Sequence, residues 1–466
     1  MNFISTRISK KIKNFKQVTL KGLAEDGGLY IPKTWNGVRT DLVNKELSFK
    51  DTAFEVINSF IGSTIEREHL KELIEKSYNS FRHKEITPLR KLDKKNYLLE
   101  LYHGPTLAFK DIALQFLGKT FESFLEESKN KLTIIGATSG DTGSAAIDAV
   151  KDNKHLNIFI LHPHNRVSEF QRRQMTTINS NNVYNLAVKG TFDDCQNIIK
   201  KLFNDNKLNK VLNLGSINSI NWTRIMAQIT YYIYAYNKIR KTAGKCNISF
   251  SVPTGNFGDA YAGYLAKEKF NIPINKIIIA TNKNNILDRF FKTGTYKKEK
   301  VFETISPSMD IQIASNFERL LFDINKGNGS IVNTLMEKFK KSSFVKVAKE
   351  PFNLTKDKFI SFSINEANTR KRIISTYKKF DIIIDPHTAV GLDAANLYLN
   401  KNIEDVVVTL ATAHPAKFSN SVKAILGVDP ELPKGYEDLL QLKEKYEIID
   451  NSYDLISNYI LNNAIN

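Results

Sequence analysis

The chain has little with which to build a metal or redox centre. Two cysteines occur in 466 residues, Cys195 and Cys246, in neither CxxC nor metal-ligand spacing. That argues against a disulfide-stapled scaffold and for a reducing, cytoplasmic setting. No apolar run nears the ~18 residues a membrane helix needs; runs such as Lys276-Ile-Ile-Ile-Ala280 are strand-length. There is no Gly-x4-Gly-Lys-Ser/Thr and no GxGxxG, so neither a P-loop nor a dinucleotide fingerprint applies. Acidic residues are outnumbered, 49 against 67 basic, for a formal net charge of +18. Such an excess raises the question of nucleic acid. The lysines are scattered, however, as at Lys119, Lys129, Lys131, Lys151 and Lys154, and form no basic helix or aromatic platform. The charge reads as a solvated surface, one that also concentrates small anions.

What is present is an ordinary folded composition, 42% hydrophobic and 25% charged, with length for two or three domains. The basic stretch Met1 to Lys16 has the charge of a transit peptide but not the apolar core of a secretory signal. It runs into Gly22-Leu-Ala-Glu-Asp-Gly-Gly-Leu-Tyr30, with a turn at Asp26-Gly27-Gly28, and reads as folded structure. Phe49 to Ser63 and Ile65 to Phe81 carry apolar residues at helical spacing.

From about residue 96 the pattern becomes strand, unusual loop, helix, repeated. Strands are expected at Leu132 to Gly136, Asn157 to Leu161, Ile248 to Val252, Asp381 to Ile384 and Asp405 to Leu410. Strands alternating with helices predict parallel sheets, whose ligand-binding loops gather beyond the strand C-termini. The segment 284–350 reads as a helical insertion, and the tail, opening with Pro430, Pro433 and Gly435, as ending in helices. The expected organisation is an N-terminal segment 1–90, an α/β core of two subdomains 91–428, and a tail 429–466.

Four loops carry chemistry. In His103-Gly-Pro-Thr-Leu-Ala-Phe-Lys110-Asp111, a lysine opens a helix in apolar company. Burial disfavours an ammonium and frees an amine for imine chemistry, although a lysine snorkelling from a helix end fits equally well. Pro253-Thr-Gly-Asn-Phe-Gly-Asp259 joins strand to helix; it suits a phosphate cradle or a plain tight turn. Gly136-Ala-Thr-Ser-Gly-Asp-Thr-Gly143 offers amides and three hydroxyls to a carboxylate, or simply caps its helix. Thr409-Leu-Ala-Thr412-Ala-His-Pro415 places a hydroxyl where it can meet a ring nitrogen.

Taken together with Arg166-Val-Ser-Glu-Phe-Gln-Arg-Arg-Gln-Met175, Asn218-Ser-Ile-Asn-Trp222 with Arg224, Asp385-Pro-His-Thr-Ala-Val-Gly391 and Ala411-Thr-Ala-His-Pro-Ala-Lys-Phe418, these loops resemble the fold-type II pyridoxal phosphate enzymes, and within them the threonine synthase family. The resemblance spans roughly residues 1 to 430. It implies a tryptophan synthase β-like α/β fold, two open twisted parallel-type sheets flanked by helices, with a mostly helical N-terminal segment. It implies a carbon–oxygen lyase of threonine biosynthesis that acts on O-phospho-L-homoserine with pyridoxal 5'-phosphate. The expected partners are that small molecule alone, with no nucleic acid and no membrane, in a monomer or homodimer.

Carried over residue by residue, Lys110 matches the family's Schiff-base lysine and Cα proton carrier. Gly255, Asn256, Phe257, Gly258 and Asp259 match the cofactor-phosphate loop, and Thr412 the hydroxyl facing the pyridine nitrogen. Ser139, Gly140, Asp141 and Thr142 match the loop that receives the amino-acid carboxylate. Asp141 stands where many fold-type II members have an asparagine that meets the ring's phenolic oxygen; a carboxylate cannot donate there unless protonated. Arg166, Arg172, Arg173 and Arg224 are candidates for the substrate phosphate. His103, His387 and His414 read as positioning or core histidines. The nearest rivals, dehydratases and β-replacement synthases of the same fold type, lack the long N-terminal segment and the Arg166-to-Met175 run.

Overall fold

Short runs of Ile, Val and Phe build the framework, because branched and aromatic side chains pack well on a pleated surface. The structure is a computed structural model and describes residues 1–215, 217–244 and 246–464. β1 (Phe3–Ser5) pairs antiparallel with β2 (Tyr30–Pro32), and Phe3 also exchanges backbone bonds with Lys13. The basic N-terminal stretch is thus part of the fold, with Phe3 fully buried against Phe15 and Trp222. The helices Phe49–Ile61 and Arg67–Tyr78 follow close to their expected bounds.

β3 (Leu89–Lys91) and β4 (Asn96–Glu100) open one sheet. β5 (Leu132–Ala137), β6 (Leu156–Pro163), β7 (Val183–Lys189) and β8 (Leu214–Gly215) form another. The chain returns to the first with β9 (Asn247–Pro253) and β10 (Ile274–Thr281). It then makes a small antiparallel arm from β11 (Thr295–Lys297) and β12 (Phe344–Lys346). β13 (Phe359–Ser363) and β14 (Asp405–Ala411) complete the first sheet, and β15 (Glu447–Asp450) joins the second. The orders are β13-β10-β9-β14-β4-β3 and β15-β7-β6-β5-β8. Pairs within both are parallel except β3 with β4. This is the expected α/β architecture. The helix Trp222–Ala243 is buried around most of its girth, which places the start of that helix inside the molecule.

Two local expectations fail. Asp381 to Ile384 is irregular rather than a strand. It is caught between Asp381, a left-handed helix cap at φ 54°, and Asp385, which caps the helix Pro386–Leu399. Three isoleucines between two caps leave no length for a ladder, and Ile384 packs against Leu98 and Ile373 instead. Among its described residues the tail contains one helix, Tyr453–Asn463, preceded by the strand β15 rather than by more helix. The Ile448-Ile449 pair is too short to display a period, and only pairing with β7 makes it a strand.

Candidate active site

β4 and β14 lie side by side in parallel, so the segments that follow them leave from the same edge. Those segments stay joined. The Phe109 amide donates to the Thr412 carbonyl at 2.8 Å, and the His414 amide to the Leu107 carbonyl at 3.0 Å. Lys110 opens the helix Lys110–Ser128 beyond this join. Ahead of it, Asp111 accepts the Thr106 amide at 2.7 Å and its hydroxyl at 2.5 Å. A Cβ on Gly104 would lie 2.5 Å from that of Asp111, so the loop is closed to any larger residue. Burial pushes the Asp111 carboxyl up to about 6.

The Lys110 side chain is 11% exposed, and its Nζ lies 3.2 Å from Asp141 Oδ2. Asp141 starts the helix Asp141–Val150 after β5, behind Gly140 at φ 144°. Thr138 shapes the turn by accepting the Gly140 and Gly143 amides at 3.0 and 2.9 Å. Asp141 Oδ1 takes the Gln171 amide at 2.8 Å and the Lys417 ammonium at 3.2 Å. Burial alone would raise the Asp141 carboxyl; Lys110, Lys417, Gln171 and His387 instead hold it well below the usual carboxylate range. Ser139 is exposed and Thr142 half-buried at the mouth of the same turn.

The loop after β9 closes the opposite side. Gly255 meets the backbone of Ser308: a Cβ there would lie 2.8 Å from the Ser308 carbonyl. Ser308 also donates its hydroxyl to Asp141 Oδ2 at 3.3 Å and its amide to His387 Nε2 at 3.1 Å. Asn256 is fixed by Asn316 and Ser315. Phe257, at φ 63°, turns its ring into a cluster of Phe291, Phe317 and Phe359, so it anchors the loop through its side chain and serves a ligand only through its backbone. Gly258 opens the helix Gly258–Glu268. Asp259 accepts the hydroxyls of Tyr231 and Tyr232; its Oδ2 is buried without a partner. Burial pushes its carboxyl up to about 6, against the pull of Lys110. The charge of Lys110 is thus felt at both Asp141 and Asp259.

Arg224 lies in the first turn of the helix Trp222–Ala243. The segment ahead of this helix is tied to the β9 loop, with Ser219 bonded to Ser315 and its carbonyl to Asn316, the residue that also bonds the Asn256 carbonyl. Arg224 is buried, its Nε and Nη1 have no hydrogen-bond partner, and burial lowers its pKa to about 10. A buried guanidinium without an acceptor is unfavourable by itself and is compensated when an anion arrives.

The other arginines lie elsewhere. Arg166 is exposed, its charge acting on Asp194 at the surface. Arg172 holds Glu444 of the tail in a two-pronged pair at 2.8 and 2.9 Å, and Arg173 bonds Glu169 and the Leu442 carbonyl. The helix that carries them, Glu169–Thr176, turns its opposite face inward, where Gln171 meets Asp141 and Gln174 meets Lys417. Lys417, Gln171 and Gln174 are the site residues that sequence reasoning missed. All three stood inside quoted motifs, but nothing in a linear pattern separates an inward glutamine from its outward arginine neighbour. His387 uses Nδ1 on Asp385 at 2.8 Å and Nε2 on Ser308, as befits a positioning histidine.

A buried amine and a strand-to-helix turn closed at Gly255 to any side chain fit pyridoxal phosphate. Family models match most of the chain. Threonine synthase N terminus matches residues 2–78, pyridoxal-phosphate dependent enzyme 81–335, and threonine synthase, C-terminal 388–460. The chain belongs to the threonine synthase family. A threonine synthase of Pseudomonas aeruginosa is 42% identical over 463 residues, which cover 99% of this chain and 98% of that one. The crystal structure of pyridoxal phosphate-bound threonine synthase from Brucella melitensis superposes with a TM-score of 0.93 at 40% identity, covering 100% of both chains. The yeast threonine synthase structure gives 0.94 at 40% identity over 99% of this chain and 98% of that one. The cofactor of this threonine synthase family member is pyridoxal phosphate.

Proposed function

We propose that the chain converts O-phospho-L-homoserine and water to L-threonine and phosphate. The observation that carries this reading is the convergence of Lys110, Asp141 and the Gly255 turn on one buried site, in a chain that matches threonine synthases from end to end. When bound, pyridoxal phosphate supplies an electron sink for charge developing on the substrate. The residues supply the rest. The Lys110 amine would hold the cofactor and, when free, would take the Cα proton. Gly255 to Asp259 offer a helix N-terminus to the cofactor phosphate, and Thr412 offers its hydroxyl to the ring nitrogen.

The amides and hydroxyls of Ser139 to Thr142 receive the substrate carboxylate. We assign a phosphate to Arg224, because it alone of the candidate arginines is buried with unmet donors; Arg166 and Arg172 serve the surface and the tail. We keep the division 1–90, 91–428 and 429–466 as part of this proposal. We read the chain as a monomer or homodimer acting in the cytoplasm on a small molecule. Among the described residues no helix is long and apolar enough to cross a membrane.

The test is stoichiometric release of phosphate from O-phospho-L-homoserine with L-threonine formed. Deamination of threonine or serine in its place would move the chain to the dehydratase chemistry of the same fold type. Absence of a visible cofactor band, with no borohydride-trapped adduct on Lys110, would remove the role given to Lys110.

A further inference from the structure

Asp141 divides its two oxygens between two lysines. Oδ2 faces the Lys110 amine and the Ser308 hydroxyl, while Oδ1 takes the Gln171 amide and the Lys417 ammonium. The Lys417 side chain has no exposed surface. Its remaining bonds go to the Thr106 carbonyl at 2.6 Å and to Gln174 Oε1 at 2.6 Å. An ammonium has three protons to donate; two go to these oxygens and the ammonium is also paired with the Asp141 carboxylate. Lys417 therefore has no donor left for a ligand and is not a second substrate-binding cation.

We propose that Lys417 is a positioning residue of the reaction: the standing counter-charge that keeps Asp141 an ionised acceptor, aimed at Lys110, in every state where the Lys110 amine is uncharged. The proposal rests on the role given to Lys110 above, which makes that charge come and go. An amine that holds a cofactor or waits for a proton is neutral for part of the cycle. Were Lys110 its sole partner, buried Asp141 would then lose its cation and take up a proton. It would turn from acceptor to donor and lose its orientation toward the amine.

The charged and titratable groups around this pair come from several elements. Lys110 faces Asp141 from its own helix, His387 from the helix Pro386–Leu399, and Lys417 from the turn Pro415–Phe418; all three favour the carboxylate. Lys417 in turn is favoured as a cation by Asp141 and Asp111 and opposed by burial and by Lys110. Neutralising Lys110 therefore strengthens the ammonium at Lys417 at the moment Asp141 needs it.

The experiment begins with full-length Lys110→Ala, which removes the Lys110 charge permanently and needs no cofactor. Infrared difference spectra against Lys110→Ala/Asp141→Asn isolate the Asp141 carboxyl. An ionised Asp141 at neutral pH is expected in Lys110→Ala. A protonated one is expected in Lys110→Ala/Lys417→Met, and an ionised one again in Lys110→Ala/Lys417→Arg. In the holoenzyme, Lys417→Met is expected to give kcat an acid limb, falling tenfold per pH unit below its midpoint, where the wild type is flat. Lys417→Arg restores the flat profile. A protonated Asp141 in Lys110→Ala alone overturns the proposal, and this arm stands even if Lys417→Met does not fold. So does a Lys417→Met enzyme slowed by one factor at every pH. If the wild-type holoenzyme shows no adduct on Lys110, the role of Lys110 fails, and the infrared arm still decides for or against Lys417 as the counter-charge.

Discussion

Asp259 receives two tyrosine hydroxyls on one oxygen and nothing on the other. Burial moves its carboxyl from the ordinary 3.8 to about 6. A carboxyl raised by folding binds more protons in the native state, so its contribution is whole below the unfolded value and is lost as pH rises through the folded one. Two units correspond to about 3 kcal/mol at most. Asp259→Asn keeps an acceptor for both tyrosines and removes the titration. Thermal melts of the cofactor-free chain from pH 4 to 7 are expected to show the wild type losing stability relative to Asp259→Asn, with most of the change between pH 4 and 6; parallel curves would refute it. Arg224 carries the complementary prediction. Arg224→Met removes a buried, unmet charge and should stabilise the cofactor-free chain by about 1–3 kcal/mol. The same change should lower kcat/KM about a hundredfold, the worth of one charged hydrogen-bonded contact to phosphate. A variant that is less stable yet fully active would place the anion elsewhere. Lys110 was legible in the sequence because four loops around it each suited a different part of one cofactor. Lys417 was not, because a buried lysine and a solvated one look alike until Thr106, Gln174 and Asp141 arrive from three other segments.

The helix Glu169–Thr176 is a two-faced element. Gln171 and Gln174 reach inward, while Arg172, Arg173 and Thr176 hold Glu444 outside. The tail presses the same helix again where Leu439 packs against Phe170 and Leu107, and where Tyr436 donates to the Pro105 carbonyl. Glu444→Ala frees a partly buried arginine pair and should cost about 1–3 kcal/mol of stability. Because the inner face carries the partners of Asp141 and Lys417, kcat should fall severalfold as well, through misplacement rather than lost binding. Steady-state kinetics beside a thermal melt check this; a pure stability loss with unchanged kcat would show that the helix holds its place without the tail. At this scale the sequence spoke through periodicity, and it failed where periodicity had no length. The Ile382-Ile383-Ile384 run is held between two helix caps, and the Ile448-Ile449 pair becomes a strand only beside β7.

Over the whole molecule, the two sheets place their loop-bearing edges around one buried site, and the chain carries an excess of 18 positive charges. The order of sheets was legible only as a class, since which parallel strands neighbour one another depends on contacts far apart in sequence, such as β4 between β3 and β14. The charge was legible at once, but its meaning depends on the ligand. The proposed substrate carries a phosphate and a carboxylate. A positive surface raises its concentration near the site and speeds encounter, an effect that salt screens once the Debye length shrinks below the separation of the charges. The Lys110–Asp141–Lys417 group is buried and is little affected by the same salt. Raising sodium chloride from about 10 mM to about 300 mM should therefore lower kcat/KM by several-fold to about tenfold while kcat stays nearly constant. A dependence confined to kcat would mean that salt is reaching the buried ion pairs. A flat kcat/KM would mean that the surface charge plays no part in capturing substrate.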